Sequence, residues 1–150
     1  MAITWEQLEA GLAANLPYLE NQDNIILAIA PAGGFVQLWQ TPERLVTEAW
    51  GLHMRSPEPR LPAEMEEQLT AMGWQPPACD PEANWSRTYP WPLAASTGAE
   101  VAGLLIRTLR DVFGATTPDT LIYKAWNDRD GSRLTWPPLD QLRYQDPTTV

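Results

Sequence analysis

The chain has 150 residues, of which 44% are hydrophobic, and a formal net charge of -9. This length and composition indicate a single globular domain that buries roughly 70% of its unfolded-chain surface. The negative charge argues against a nucleic-acid partner and against docking on an anionic membrane.

Cysteine content and the lack of targeting signals narrow the class of protein further. The single cysteine, Cys79, excludes an internal disulfide and a zinc cluster built on thiolates. The first residues lack the basic and then apolar stretches of a secretory signal. The longest apolar run, Ile25 to Ala32, is far shorter than the ~20 residues of a membrane-spanning helix. We therefore expect a cytoplasmic protein.

The first predicted element is a helix. Thr4 and Gln7 have the spacing of a capping box, and leucines recur behind them at helical intervals. Pro17 lies near the end of this pattern and should terminate or bend the helix.

Residues 24–50 predict three short strands. Gly33-Gly34 and Pro42 mark the turns between them. Connections this short do not allow a parallel crossover, so the strands should form an antiparallel meander. Period-2 alternation places Phe35, Gln37 and Trp39 on one face, and we expect one face of the sheet to be core and the other to be partly open.

The second half of the chain predicts two more helices and two more strands. A helix should begin near Pro62 and end at Gly73, with Trp74 folded back on it. A short edge strand is expected at about 84–89. Thr97 and Glu100 suggest a capping box for the longest helix, which should end at Gly114. Residues 121–126 alternate as a final strand.

The predicted fold class is therefore α+β: an antiparallel sheet with helices packed on one face, in the order α-β-β-β-α-β-α-β. We expect the domain to cover residues 1–127. A Pro-containing C-terminal extension, residues 128–150, should follow it and add one more extended segment.

Candidate catalytic groups are few. Cys79 and His53 form a conceivable nucleophilic pair, but Cys79 lies in a Pro-rich loop and not at a helix N-terminus, which would lower the pKa of its thiol. The acidic loop Asp128–Asp130 lacks the downstream Glu of a calcium site, and an Asx-type turn is the simpler interpretation. We predict no catalytic residues, no metal site and no cofactor. A small hydrolase-type enzyme that uses Cys79 and His53, or this acidic loop, is the alternative.

The eight tryptophans and fifteen prolines point instead to a binding surface. Trp is seldom fully buried and often serves at interfaces, although the alternative for any one of these tryptophans is that it only builds the core. The expected partner is a peptide or a protein, held on the sheet face; an obligate homodimer that uses the same face is a further alternative. The predicted partner-binding residues are Phe35, Gln37, Trp39, Val46, Trp50, Trp74 and Trp85.

Several stretches together carry a family resemblance. They are Phe35–Leu38, Glu48-Ala49, Leu69–Pro77, Asn84-Trp85, Ile106–Gly114, Pro118 and Leu121–Trp126. These resemble the actinobacterial members of the YbjN-like, type III secretion chaperone-like group (the TY-Chap domains), from about Thr4 to Asn127. In the helix-to-Leu-Gly-Trp-x-x-Pro signal, Met72 replaces the more usual Leu. The resemblance implies helices on an antiparallel sheet and a chaperone-like role in peptide or protein binding, often as a dimer. It implies no catalytic residue.

Overall fold

The computed structural model describes residues 2–30, 33–50, 62–77, 84–136 and 139–144. Three helices and six strands are present in these ranges. They are α1 (Trp5–Asn15), β1 (Asp23–Ile29), β2 (Phe35–Gln40), β3 (Arg44–Trp50), α2 (Ala63–Met72), β4 (Trp85–Pro90), α3 (Ala95–Arg107), β5 (Leu121–Asn127) and β6 (Arg143–Tyr144). The α+β class and the order of elements are as predicted.

One mixed sheet contains all six strands, in the order β4-β3-β2-β1-β5-β6. The first five pair antiparallel, and β6 pairs parallel to β5. The predicted meander thus forms β1 to β3 in the centre. The predicted edge strand is β4, and the C-terminal extension adds β6 at the opposite edge.

The helices cover one face of the sheet, and the core lies between the two layers. Buried side chains of α1, α2 and α3 form one cluster with every second residue of the strands. In β1 these are Ile25 and Leu27, and in β2 they are Val36 and Leu38. The cluster stabilises the fold because each buried aliphatic side chain contributes about 1.5–3 kcal/mol of transfer free energy.

Two of the predicted helix ends are confirmed. The Thr4 hydroxyl accepts from the Gln7 N–H while the Gln7 side chain accepts from the Thr4 N–H, which completes the capping box. At the end of α2, Gly73 has φ +101° and the Trp74 N–H donates to the Leu69 carbonyl at 3.0 Å. A left-handed residue here favours glycine, which has no Cβ to clash.

The predicted start of α3 is wrong. The helix begins at Ala95 rather than after Thr97, and its N-cap, Ala94, makes no side-chain cap hydrogen bond. The first turn of α3 packs closely on the first helical segment of the chain. A Cβ on Gly98 would lie 3.2 Å from Pro17 Cγ and 3.3 Å from the Ala13 carbonyl oxygen, so a larger residue at position 98 would require a small shift of these neighbours.

Candidate binding surface

The two faces of the sheet differ in what covers them. Along β1, β2, β3 and β5, a buried residue alternates with a half-buried one. The buried residues point to the helices. We call the opposite side the open face, and define it by Asn24, Ile26, Ala28, Phe35, Gln37, Trp39, Val46, Glu48, Ile122, Lys124 and Trp126.

Strand register arranges the open face into three rows that cross the strands. They are the Phe35 row (Ile122, Ala28, Phe35), the Gln37 row (Lys124, Ile26, Gln37, Glu48) and the Trp39 row (Trp126, Asn24, Trp39, Val46). Neighbouring rows lie two residues apart along each strand, or about 7 Å. Two largely apolar rows therefore flank one that carries most of the polar groups.

Hydrogen bonds fix the polar end of the Gln37 row. Glu48 Oε1 accepts from Gln37 Nε2 at 2.6 Å and from Asn84 Nδ2 at 2.9 Å. Two amide donors thus hold one carboxylate oxygen of a half-buried glutamate in place. Lys124 lies at the other end of the row.

At each edge of the sheet, the chain itself takes up some of the backbone pairing positions. Gln75 exchanges two backbone hydrogen bonds with Ser86 on the outer side of β4, and Pro90 at the end of that strand has no N–H to donate. Ser86 and Pro90 are thus poor pairing positions for an added strand, whereas Thr88 between them is exposed.

The C-terminal extension occupies the edge at β5. The Asn127 N–H donates to the Ser132 carbonyl at 2.9 Å, and the Leu134 N–H donates to the Ala125 carbonyl at 2.9 Å. Further along, β6 pairs with residues 122 and 123. Among the described residues, no helix covers the open face, while the chain itself takes up part of each edge.

Four of the predicted partner-binding residues lie together on the open face: Phe35, Gln37, Trp39 and Val46. Trp39 and Val46 are direct cross-strand neighbours. Trp50 pairs with Phe35 in the β2–β3 register. Its side chain is outside the described part of the structure.

Trp74 and Trp85 do not lie on this surface, because both side chains are buried in the core. Trp74 is 2% exposed, and its indole N–H donates to the Thr108 hydroxyl at 2.9 Å. Trp85 is 7% exposed and pairs with the buried Ala49, which places it on the helix-covered face. We therefore leave both out of the surface.

Sequence reasoning missed the β1 and β5 contributions to the open face, namely Ile26, Ile122, Lys124 and Trp126. The signal was present in the alternation of residues 121–126. It becomes informative only with the knowledge that β5 pairs with β1, a contact between residues about a hundred positions apart.

The acidic loop serves as a turn. Asp130 Oδ1 accepts from the Ser132 N–H at 2.9 Å, and Asp128 Oδ1 accepts from the Trp126 indole at 2.8 Å. The Ser132 hydrogen bonds lower the pKa of the Asp130 carboxyl. A general acid would need the opposite shift. His53 and Cys79 lie outside the described residues.

Within the described ranges, the side chains place no three potential metal ligands together. In the same ranges, none of the helices combines the length and apolar character that crossing a membrane requires.

Comparison with known proteins identifies the family. A family model described as "T3SS (YopN, CesT) and YbjN peptide-binding chaperone 3", TY-Chap3, matches residues 1–127. The chain belongs to the TY-Chap3 family. No curated protein and no solved structure gives a significant match. The matched region of this TY-Chap3 chain contains α1 to β5 and therefore the whole open face, while β6 follows it.

Proposed function

We propose that this TY-Chap3 chain is a cytoplasmic, non-catalytic module that binds a peptide segment of a client protein on the open face of its sheet. The family description as a peptide-binding chaperone supports the class of function. The observation that carries the choice of surface is that, among the described residues, no helix covers this largely apolar face, while the chain itself takes up part of each edge.

The spacing of the rows suits a polypeptide ligand. In an extended peptide, side chains on one side repeat every second residue, at about 6.6–6.8 Å. This matches the separation of the Phe35, Gln37 and Trp39 rows. A bound segment running along the strands would therefore place apolar side chains on the outer rows and a polar one on the Gln37 row.

Aromatic side chains supply the anchors. Trp39 is half-buried beside Val46 and offers both ring surface and an indole N–H. Tryptophan is enriched among residues whose truncation costs most binding energy, because it buries a large area with few rotatable bonds. We expect Trp39 to contribute more than any aliphatic residue of the surface.

A peptide selection tests the proposal. A phage library of short random peptides is selected on the folded chain, and the enriched peptides are then synthesised with a fluorescent label. Their affinities are measured by fluorescence anisotropy for the wild type, Trp39→Ser and Val46→Thr. Val46→Thr is the second variant in case Trp39→Ser fails to fold, because threonine keeps the β-branched shape of valine.

Tyr18 provides the matched control, because it is an aromatic residue that is 81% exposed and lies beside α1, away from the open face. We expect Trp39→Ser to weaken binding by about tenfold or more and Tyr18→Ser to leave it nearly unchanged. Equal losses in the two variants, or a selection that enriches nothing, would overturn the proposal. So would a stable dimer, detected by light scattering on a dilution series, that Trp39→Ser dissociates and Tyr18→Ser does not.

A further inference from the structure

Lys124 lies at the centre of the β5 part of the open face and is the cation among the residues that define this face. It lies between Ile122 and Trp126 on the same side of the strand, and all three are half-buried. Neither of the two ion pairs found in the described ranges includes Lys124. This part of the surface thus has the order apolar, cationic, aromatic, at two-residue spacing.

The opposite end of the Gln37 row carries the opposite charge. Glu48 is separated from Lys124 by three strand spacings, or about 14 Å. That distance exceeds the screening length of about 8 Å at physiological salt, so the two charges do not neutralise each other. A ligand carboxylate would be attracted at the Lys124 end and repelled at the Glu48 end.

We infer that Lys124 selects a peptide in which one acidic residue lies between two apolar residues, in the pattern apolar-x-acid-x-apolar. This inference rests on the proposed function. The apolar side chains of such a segment would contact Ile122 and Trp126, and the carboxylate would pair with the Lys124 ammonium group.

The net charge of the chain limits the number of acids in the ligand. At -9, the protein as a whole repels a run of carboxylates, while Lys124 is the one cation among the residues that define the open face. The recognised feature is therefore one acidic residue in an apolar context, and an acidic tract would bind less well.

A peptide array tests this selectivity on the intact chain. The array contains peptides of the form apolar-x-Z-x-apolar, in which the outer positions vary among Leu, Ile, Phe and Trp and Z is Glu, Gln or Lys. Binding is measured for the wild type, Lys124→Met and Lys124→Glu. The control is Arg107→Glu, which changes the net charge as Lys124→Glu does but alters an exposed residue of α3.

We expect the wild type to favour Glu over Lys at position Z by about threefold to tenfold, because a partly buried ion pair is worth about 1 kcal/mol. Lys124→Met should remove the preference and Lys124→Glu should reverse it. Arg107→Glu should preserve it, and high salt should weaken it.

The possible failures are distinguishable. If all three Z residues bind the wild type equally and Trp39→Ser still weakens them, the inference is wrong and the proposed function stands. If Arg107→Glu shifts the preference as far as Lys124→Glu does, the effect is general electrostatics and the inference is also wrong. If no peptide binds the wild type, the proposed function fails together with the inference.

Discussion

The indole N–H of Trp74 donates to the hydroxyl of Thr108 at 2.9 Å, in the buried space between α2 and α3. The same hydroxyl donates to the Leu104 carbonyl at 2.7 Å. Thr108 is also where α3 changes to a π-helical segment, Thr108–Val112. This hydrogen bond therefore joins the cap of α2 to the irregular end of α3.

Replacement of Thr108 by valine tests the importance of this bond. Val keeps the shape of Thr but accepts nothing, so the Trp74 N–H would be buried without a partner. We expect the free energy of unfolding to fall by about 1–3 kcal/mol, measured by urea denaturation.

A double-mutant cycle supplies the control for Thr108→Val. Trp74→Phe removes the indole N–H, so Thr108→Val should cost less in the Trp74→Phe background than in the wild type. An identical cost in the two backgrounds would show that the hydrogen bond contributes nothing and that only packing changes.

Gly73 at the end of α2 carries a second prediction. Its φ of +101° is unfavourable for an L-residue, and a Cβ there would lie 2.6 Å from Arg87 Nη1. We expect Gly73→Ala to lower the free energy of unfolding by about 1–2 kcal/mol. Gly131→Ala is the matched control, because φ is +72° there and a Cβ would meet nothing within 4 Å. If the two variants cost the same, backbone strain alone accounts for the loss and Arg87 moves aside freely.

The local signals in the sequence predicted local structure well. The capping box at Thr4 and the glycine at the end of α2 depend on residues within one turn of each other, so the sequence alone contains the whole interaction. Pro17 likewise ends the first helix, which stops at Asn15 and continues only as the short 3-10 segment Leu16–Tyr18.

The candidate surface depends on non-local structure and was only partly predictable. In β2, the alternation separates Phe35 and Trp39 from Val36 and Leu38, but both sets are apolar. The sequence therefore does not say which set the helices cover. That choice follows from the packing of α1 and α3.

For the tryptophans, too, the sequence does not say which side chains the helices cover. Trp39 and Trp85 are both strand residues, and composition alone does not say which of them is buried. Pairing distinguishes them, because Trp85 lies opposite the buried Ala49 and Trp39 lies opposite the half-buried Val46.

Tyr89 carries a prediction about pH. Its side chain is buried, and its hydroxyl oxygen has no hydrogen-bond partner within the described ranges. Burial raises the pKa of the Tyr89 hydroxyl, the nearby Arg87 partly offsets this, and Glu100 adds to the rise. The folded protein therefore holds this proton more tightly than the unfolded chain does.

The sign of the effect follows from proton linkage. A raised pKa contributes stability that is fully present below the unfolded value of about 10 and is lost as the pH rises through the folded value. The wild type should thus lose more stability than Tyr89→Phe between pH 9 and 11, measured by urea denaturation. At neutral pH, Tyr89→Phe should be as stable as the wild type or about 1 kcal/mol more stable, because no hydrogen bond is lost. Parallel pH profiles would show that water reaches the hydroxyl.

The C-terminal extension provides the last prediction, which concerns the boundary of the folding unit. The family model ends at residue 127, and a domain boundary there stays a prediction. Beyond it, however, Leu139 is fully buried, and Asp140 Oδ1 lies 3.5 Å from the hydroxyl of the buried Tyr123. These contacts indicate that the extension completes the core beside β5.

Leu139→Ala should therefore lower the free energy of unfolding by about 2–5 kcal/mol, the range for removing a buried leucine side chain from a core. Thr135→Ala, at an exposed position of the same segment, should change it by no more than about 0.5 kcal/mol. Both values come from urea denaturation monitored by tryptophan fluorescence, with one cooperative transition expected. If Leu139→Ala has no effect, or if a separate early transition appears, the extension is an independent appendage. The pairing of β6 with β5 would then contribute little to closing that edge of the sheet.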